Sequence, residues 1–117
     1  MSLTLNFEAV LDEDITGVDA LHFGLAQFTF ATDGDALERR VTLPSGAYTT
    51  LDTGSMTGPF YWLLLNVHDN VDVKVGFGSG DPIVLEPGEL AWWSGTDLAY
   101  AIGDGAESRL LYWVIKK

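Results

Sequence analysis

The chain of 117 residues has the length of one domain, and with 47% hydrophobic residues it can bury a core. Its 17 acidic and 6 basic residues give a net charge of −11, which repels a phosphate backbone and excludes nucleic acid as an expected partner. There is no cysteine, which excludes disulfides and thiolate metal sites, and no apolar run approaches the roughly 18 residues of a membrane span.

The first half of the sequence alternates with the period of two that is typical of β-strands. Apolar side chains share one face of a first strand at Leu3, Leu5 and Phe7, and an acidic stretch containing Gly17 ends that strand. Residues 53–59 are small enough for a mobile loop, a connection exchanged between subunits, or an ordinary linker. The strands predicted in this half span residues 3–9, 20–32, 36–43 and 47–52.

The second half is more regular. Residues 59–67 are apolar on both faces, which predicts a central strand. Residues 109–115 are also apolar on both faces, and we expect both strands to be buried on both sides. In residues 71–77, valines alternate with Asp72 and Lys74, which predicts a half-buried strand. Short strands follow at residues 83–86, 89–94 and 97–102. The sequence therefore predicts an all-β chain of nine or ten short strands, packed as an antiparallel β-sandwich in a single domain over residues 1–117.

The residues that usually carry catalysis or metal binding are few and isolated. His22 and His68 have no ligand spacing, and we expect His68 to bind backbone in the turn that it opens. The stretch DEDITG resembles the start of a calcium loop, but Phe23 stands where a bidentate Glu is required. The glycines of residues 76–80 indicate a flexible turn. No serine lies in G-x-S-x-G. We therefore predict no enzyme activity, no metal and no cofactor.

The aromatic residues are the remaining candidates for function. We expect the apolar side chain of Leu90 to face inward. Alternation from Leu90 then places Trp92 in the core and Trp93 on the outer face. Aromatic pairs on strands usually give one ring to the core and the other to a neighbouring subunit, so we predict a protein interface at Trp93, Tyr61 and Trp113. Stacking of a sugar on exposed aromatic rings is the alternative.

Residues 61–115 resemble small virion proteins of tailed bacteriophages. The shared succession is an apolar strand ending in Asn66, a strand of alternating valines followed by glycine, the turn Pro87-Gly88-Glu89, a short Tyr-Ala strand at Tyr100, and a final apolar strand. The resemblance implies a jelly-roll or Greek-key-like sandwich that assembles into homotrimers or other homo-oligomers without a cofactor.

Within that class, the resemblance leads us to expect a capsid decoration (cement) protein that binds the major capsid protein and stabilises the head from outside. The acidic charge agrees with a position on the capsid exterior, because packaged DNA repels it. Assembly would take place in the host cytoplasm, with residues 1–20 as a candidate N-terminal arm. The alternatives are a tail or fibre module that binds a surface glycan through exposed aromatics, and a carbohydrate-binding module outside any virion.

Overall fold

A computed structural model describes residues 1–10, 22–78 and 80–117, without side chains for residues 7–10 and 22–28. The chain forms two compact units, Met1–Asp33 and Gly34–Lys117. The single domain expected from the length stays a prediction. So does the N-terminal arm over residues 1–20, part of which lies outside the described residues.

The first unit is an antiparallel pair of strands, β1 (Ser2–Val10) and β2 (His22–Ala31). Their register runs from Ser2 opposite Ala31 to Val10 opposite His22, with an irregularity between Phe7 and Ala9. The open end of the pair is closed by the amide of Thr32, which donates to the carbonyl of Met1 at 3.0 Å. Both strands fall where alternation predicts them.

The described residues of the second unit form eight strands: β3 (Ala36–Leu43), β4 (Thr49–Thr50), β5 (Phe60–Asn66), β6 (Val73–Phe77), β7 (Ile83–Leu85), β8 (Leu90–Gly95), β9 (Ala99–Gly103) and β10 (Ser108–Lys116). They form two sheets of four strands, in the orders β3-β10-β5-β8 and β4-β9-β6-β7. Every strand pair is antiparallel. Eight strands that alternate between two sheets in this order form a jelly roll, so the fold class predicted from the sequence is confirmed, with ten strands in the described part of the chain.

The core lies between the two sheets of the second unit. Trp62 is its largest fully buried side chain, and its ring packs against Phe60, Phe77 and Tyr112 at centroid distances of 5.6, 6.5 and 6.0 Å. Each sheet contributes the residues of one strand face, as the period of two requires. The buried apolar cluster consists of Leu43, Leu51, Phe60, Trp62, Leu64, Val73, Val75, Leu85, Ala99, Ala101, Leu110, Tyr112 and Val114.

The central position predicted for residues 59–67 is confirmed, since β5 pairs with β10 and β8. β10 is also a central strand, between β3 and β5. Burial on both faces holds only in part. The inner faces of both strands are buried except at Lys116, the last residue of β10, whereas the outer faces are mixed. On the outside, Tyr61 and Leu111 are buried, and Leu63, Leu65, Trp113 and Ile115 are half-buried.

Candidate functional site

The orientation of the tandem tryptophans in β8 is the reverse of the sequence-based expectation. Trp93 lies opposite Trp62 of β5, whose side chain is fully buried in the core, so Trp93 faces inward. Trp92 lies opposite Leu63 and faces outward with Leu90. The prediction of Trp92 in the core and Trp93 outside is therefore wrong. The count began from Leu90 as an inward residue, but Leu90 lies on the outer face of an edge strand and is 43% exposed.

Trp93 faces inward and yet remains accessible, because β8 is the last strand of its sheet. Its ring stacks on Phe77 of β6 in the opposite sheet, with centroids 4.9 Å apart and planes 20° apart. The side chain is 43% exposed. Trp93 thus closes the core on one ring face while part of its surface remains available to a partner.

Four of the large apolar side chains that are exposed in the described part of the chain belong to β7 and β8: Ile83, Val84, Leu90 and Trp93. These two strands are consecutive along the chain and each is the last strand of its sheet. The stacking of Trp93 on Phe77 of β6, the neighbour of β7, places both edges on the same side of the sandwich. We call these four residues the β7–β8 edge. Val84 and Leu90 lie on the outer faces of the two sheets, and Ile83 and Trp93 lie on the inner faces, so the exposed apolar side chains surround the place where the two sheets end.

The two other residues predicted for an interface lie on a different surface from Trp93. Tyr61 of β5 and Trp113 of β10 lie on the outer face of the β3-β10-β5-β8 sheet, because the residues before and after each of them in its own strand are buried in the core. Tyr61 stacks on Trp92 at 5.2 Å between centroids, and the Nζ of Lys117 lies 5.0 Å from the Tyr61 ring. The structure therefore brings Tyr61, Trp92 and Trp113 to one face and places Trp93 on the other.

A concave surface lies on the outer face of the β4-β9-β6-β7 sheet, and the sequence did not single it out. It is a cavity of about 420 Å³ lined by Tyr48, Gly76, Gly78, Gly80, Pro82 and Tyr100. We call it the tyrosine cleft. Its one signal in the sequence is a glycine at position 76, within a strand of alternating valines, where a side chain would be ordinary.

The polar residues near the turns bind backbone. Nδ1 of His68 accepts hydrogen bonds from the amides of Asn70 and Val71 at 3.2 and 3.1 Å, which confirms the role predicted for this histidine. Buried Ser108 donates from Oγ to the carbonyl of Val71 at 3.0 Å. Across the described ranges, no three acidic or histidine side chains gather to hold a metal ion. The calcium-loop resemblance at residues 12–17 lies outside the described residues.

At the opposite edge of the sandwich, a polar contact joins the two sheets. The hydroxyl of Tyr112 donates to the carbonyl oxygen of Asp52 at 2.8 Å, and Arg39 pairs with the carboxylate of Asp52 at 3.2 Å. Burial of the phenol, with the negative charge of Asp52 as a second cause, raises the pKa of Tyr112 above its ordinary value of 10.0. This edge is polar, in contrast to the β7–β8 edge.

No protein-family model matches the chain, and no curated protein matches it either. Among solved structures, a protein of Neisseria meningitidis is 15% identical with a TM-score of 0.48, over 74% of this chain and 79% of that one. A protein of the disulfide-linked pili that form Bacillus endospore appendages is 16% identical with a TM-score of 0.46, over 74% and 92%. A cupin superfamily protein of Desulfitobacterium hafniense is 11% identical with a TM-score of 0.45, over 75% and 84%. These values identify neither a family nor a function. No helix among the described residues is long and apolar enough to cross a membrane.

Proposed function

We propose that this protein is a non-enzymatic structural protein of a bacteriophage virion, a decoration protein that binds the outside of the capsid through its β7–β8 edge. The observation that carries the proposal is the concentration of exposed apolar side chains on two adjacent edge strands, with the aromatic ring of Trp93 among them. The resemblance of residues 61–115 to small virion proteins supplies the biological class.

The physical case for a protein contact at this edge has two parts. An edge strand presents unpaired backbone amides and carbonyls that a neighbouring chain can bind, and natural edges are usually protected by charge or proline. Here the side chains at the edge are Ile83, Val84, Leu90 and Trp93, which lose unfavourable contact with water when a partner covers them. Aromatic residues such as Trp93 commonly dominate the binding energy of protein interfaces.

The charge supports the outer side of the capsid. A net charge of −11 opposes contact with packaged DNA, and it favours approach to a basic region of the major capsid protein. We propose that the same edge also forms contacts between copies of the chain in a homotrimer or other homo-oligomer.

The polar side chains support a structural rather than a catalytic role. Asn66, His68 and Ser108 each form hydrogen bonds with backbone groups around one connection of the sandwich. Nδ1 of His68 accepts hydrogen bonds from two backbone amides, and these bonds stabilise the turn. These residues therefore stabilise connections between strands, and we propose that the protein has no enzymatic activity.

The experiment that tests the proposal compares Leu90→Gln with Thr42→Gln. Both residues lie on the outer face of the same sheet, in its two edge strands, and both are exposed. Each variant should fold, because exposed substitutions usually change stability by about 0.5 kcal/mol or less. The binding of each variant is measured on virions that lack this protein. Relative to the unaltered protein, the affinity should fall about tenfold for Leu90→Gln and stay unchanged for Thr42→Gln.

The readout is cosedimentation of each purified variant with the particles, after equal melting temperatures have been established. Equal binding of both variants would show that the β7–β8 edge is not the contact surface. Failure of the unaltered protein to bind any particle would reject the virion role itself.

A further inference from the structure

We infer that the tyrosine cleft is a binding site for the ring of a neutral sugar. This inference does not depend on the proposed capsid contact, because the cleft is lined by residues other than those of the β7–β8 edge, and Gly76 and Leu90 lie on the outer faces of different sheets. Glycan binding was an alternative function in the sequence analysis, and this inference assigns it to a defined cleft.

The cleft exists because one strand position has no side chain. Gly76 of β6 lies directly opposite Tyr100 of β9, on the outer face where the neighbouring positions carry Lys74 and Ile102. A Cβ added at Gly76 would meet nothing within 4 Å, so the Tyr100 ring does not lie over the glycine and fill the space. The φ angle of Gly76 is not positive, so its backbone does not require glycine. The backbone would therefore accept another residue at position 76, and the open space above Gly76, the floor of the cleft, exists because this position has no side chain.

Two aromatic rings and a proline border this floor. Tyr48 precedes β4 and is 47% exposed, Tyr100 is half-buried, and Pro82 closes the side next to β7. The volume of about 420 Å³ falls within the range of small-molecule sites, which are mostly apolar with a few polar groups. In the described part of the chain, neither phenol hydroxyl has a hydrogen-bond partner, so both are free to bind a ligand.

This combination matches the two surfaces of a sugar ring. One face of a pyranose presents C–H groups that pack on an aromatic ring, while its hydroxyls exchange hydrogen bonds with phenols, which donate and accept. Tyr48 and Tyr100 line the same cleft, so a sugar that stacks on one ring lies in a site that the other phenol also borders. The cleft therefore supplies both the apolar platform and the polar groups that a saccharide needs.

The charges around the cleft favour a neutral ligand over an anionic one. The carboxylate of Asp97 lies against Gly78, where an added Cβ would be 2.8 Å from its Oδ2, and exposed Asp81 precedes Pro82. Both carboxylates repel an anionic sugar. Lys74 shares the outer face of β6 with Gly76, but its Nζ lies 3.5 Å from Oδ1 of Asp104, so its charge is paired and does not offset this repulsion.

The test titrates the purified protein with methyl β-glucopyranoside and methyl β-galactopyranoside, with N-acetylneuraminic acid as the anionic probe and choline as the cationic probe. Chemical shifts of the tyrosine ring protons report occupancy. We expect at least one neutral glycoside to bind with a Kd on the order of 1 mM, and N-acetylneuraminic acid to bind at least tenfold more weakly. Binding of choline or N-acetylneuraminic acid in preference to both glycosides would overturn the inference, as would no binding by either glycoside.

Gly76→Val is the decisive variant, because it fills the floor of the cleft with a residue that suits a strand. It should lose glycoside binding at least tenfold and keep its melting temperature. Tyr48→Ala, an exposed position, should have the same effect if Gly76→Val does not fold. Leu90→Gln serves as the control and should keep glycoside binding while it loses capsid binding. Unchanged glycoside binding in the cleft variants would overturn the inference without affecting the proposed capsid contact.

Discussion

Asn66 joins three segments of the sandwich with one side chain. Its Nδ2 donates to the carbonyls of Val71 and Leu85 at 2.9 and 2.8 Å, and its Oδ1 accepts from the amide of His68 at 2.9 Å. The residue is 1% exposed, so these backbone groups have little access to water as a substitute. An amide is needed here because the site requires two donated hydrogens and one accepted hydrogen.

Replacing this amide by a carboxylate should destabilise the fold strongly. Asn66→Asp keeps the shape but turns both donors into an acceptor that faces two carbonyl oxygens, and we expect a loss of about 3 kcal/mol in the free energy of unfolding. Asn70→Asp, an exposed position in the same turn, is the control and should change stability by about 0.5 kcal/mol or less. Denaturant unfolding measures both. Similar losses for the two variants would show that the buried hydrogen bonds are not the cause.

Tyr112 gives the stability of the protein a dependence on alkaline pH. Its pKa is raised in the folded state, mainly by burial, so the folded chain holds the phenol proton more tightly than the unfolded chain does. This contribution is complete below the unfolded pKa of 10.0 and is lost as the pH rises above that value toward the higher folded pKa. Tyr112→Phe removes the titrating group.

The measurement is the free energy of unfolding of the protein and of Tyr112→Phe between about pH 8 and pH 11, a range that brackets the ordinary tyrosine pKa. At the lower end, the variant should be less stable by about 1 kcal/mol, because it lacks the hydrogen bond to Asp52. The difference should shrink as the pH rises. A difference that stays constant over the range would contradict the role assigned to the Tyr112 phenol.

At the scale of elements, alternation in the sequence predicted where the strands lie, but it did not predict which face of each strand turns to the core. Residues 59–67 show the limit, because a strand that is apolar on both sides gives no internal sign of which side faces the core. The face of β8 is set by its pairing with β5, a long-range contact, and Leu90 gave a misleading start for the count. The tyrosine cleft was missed for the same reason, since Tyr48, Gly76 and Tyr100 meet only after their segments are brought into one sheet.

A double-mutant cycle tests the face of β8 directly. Trp93 and Phe77 stack across the two sheets, and such pairs contribute about 1 kcal/mol beyond the area that they bury. We expect a coupling energy of about 1 kcal/mol between Trp93→Ala and Phe77→Ala. Trp92 lies on the outer face, so the cycle of Trp92→Ala with Phe77→Ala is the control and should show no coupling. Coupling in the second cycle and not in the first would restore the opposite register.

At the scale of the molecule, the jelly-roll unit carries two distinct surfaces. The β7–β8 edge carries exposed apolar side chains where the two sheets end, and the tyrosine cleft is a concavity on one sheet. Protein partners generally need a broad surface with aromatic anchors, whereas small ligands need concave sites. One fold can therefore bind a protein surface and a saccharide independently, and variants at Leu90 and Gly76 separate the two activities.

The measurement that tests the central proposal most directly is the copy number of this chain in purified virions. Particles are produced from the DNA that encodes the chain, purified by density, and analysed by quantitative mass spectrometry against the major capsid protein. We predict that the chain is present in a fixed ratio to the major capsid protein and that Leu90→Gln lowers this ratio while Thr42→Gln does not. Absence of the unaltered chain from the particles would contradict the proposal.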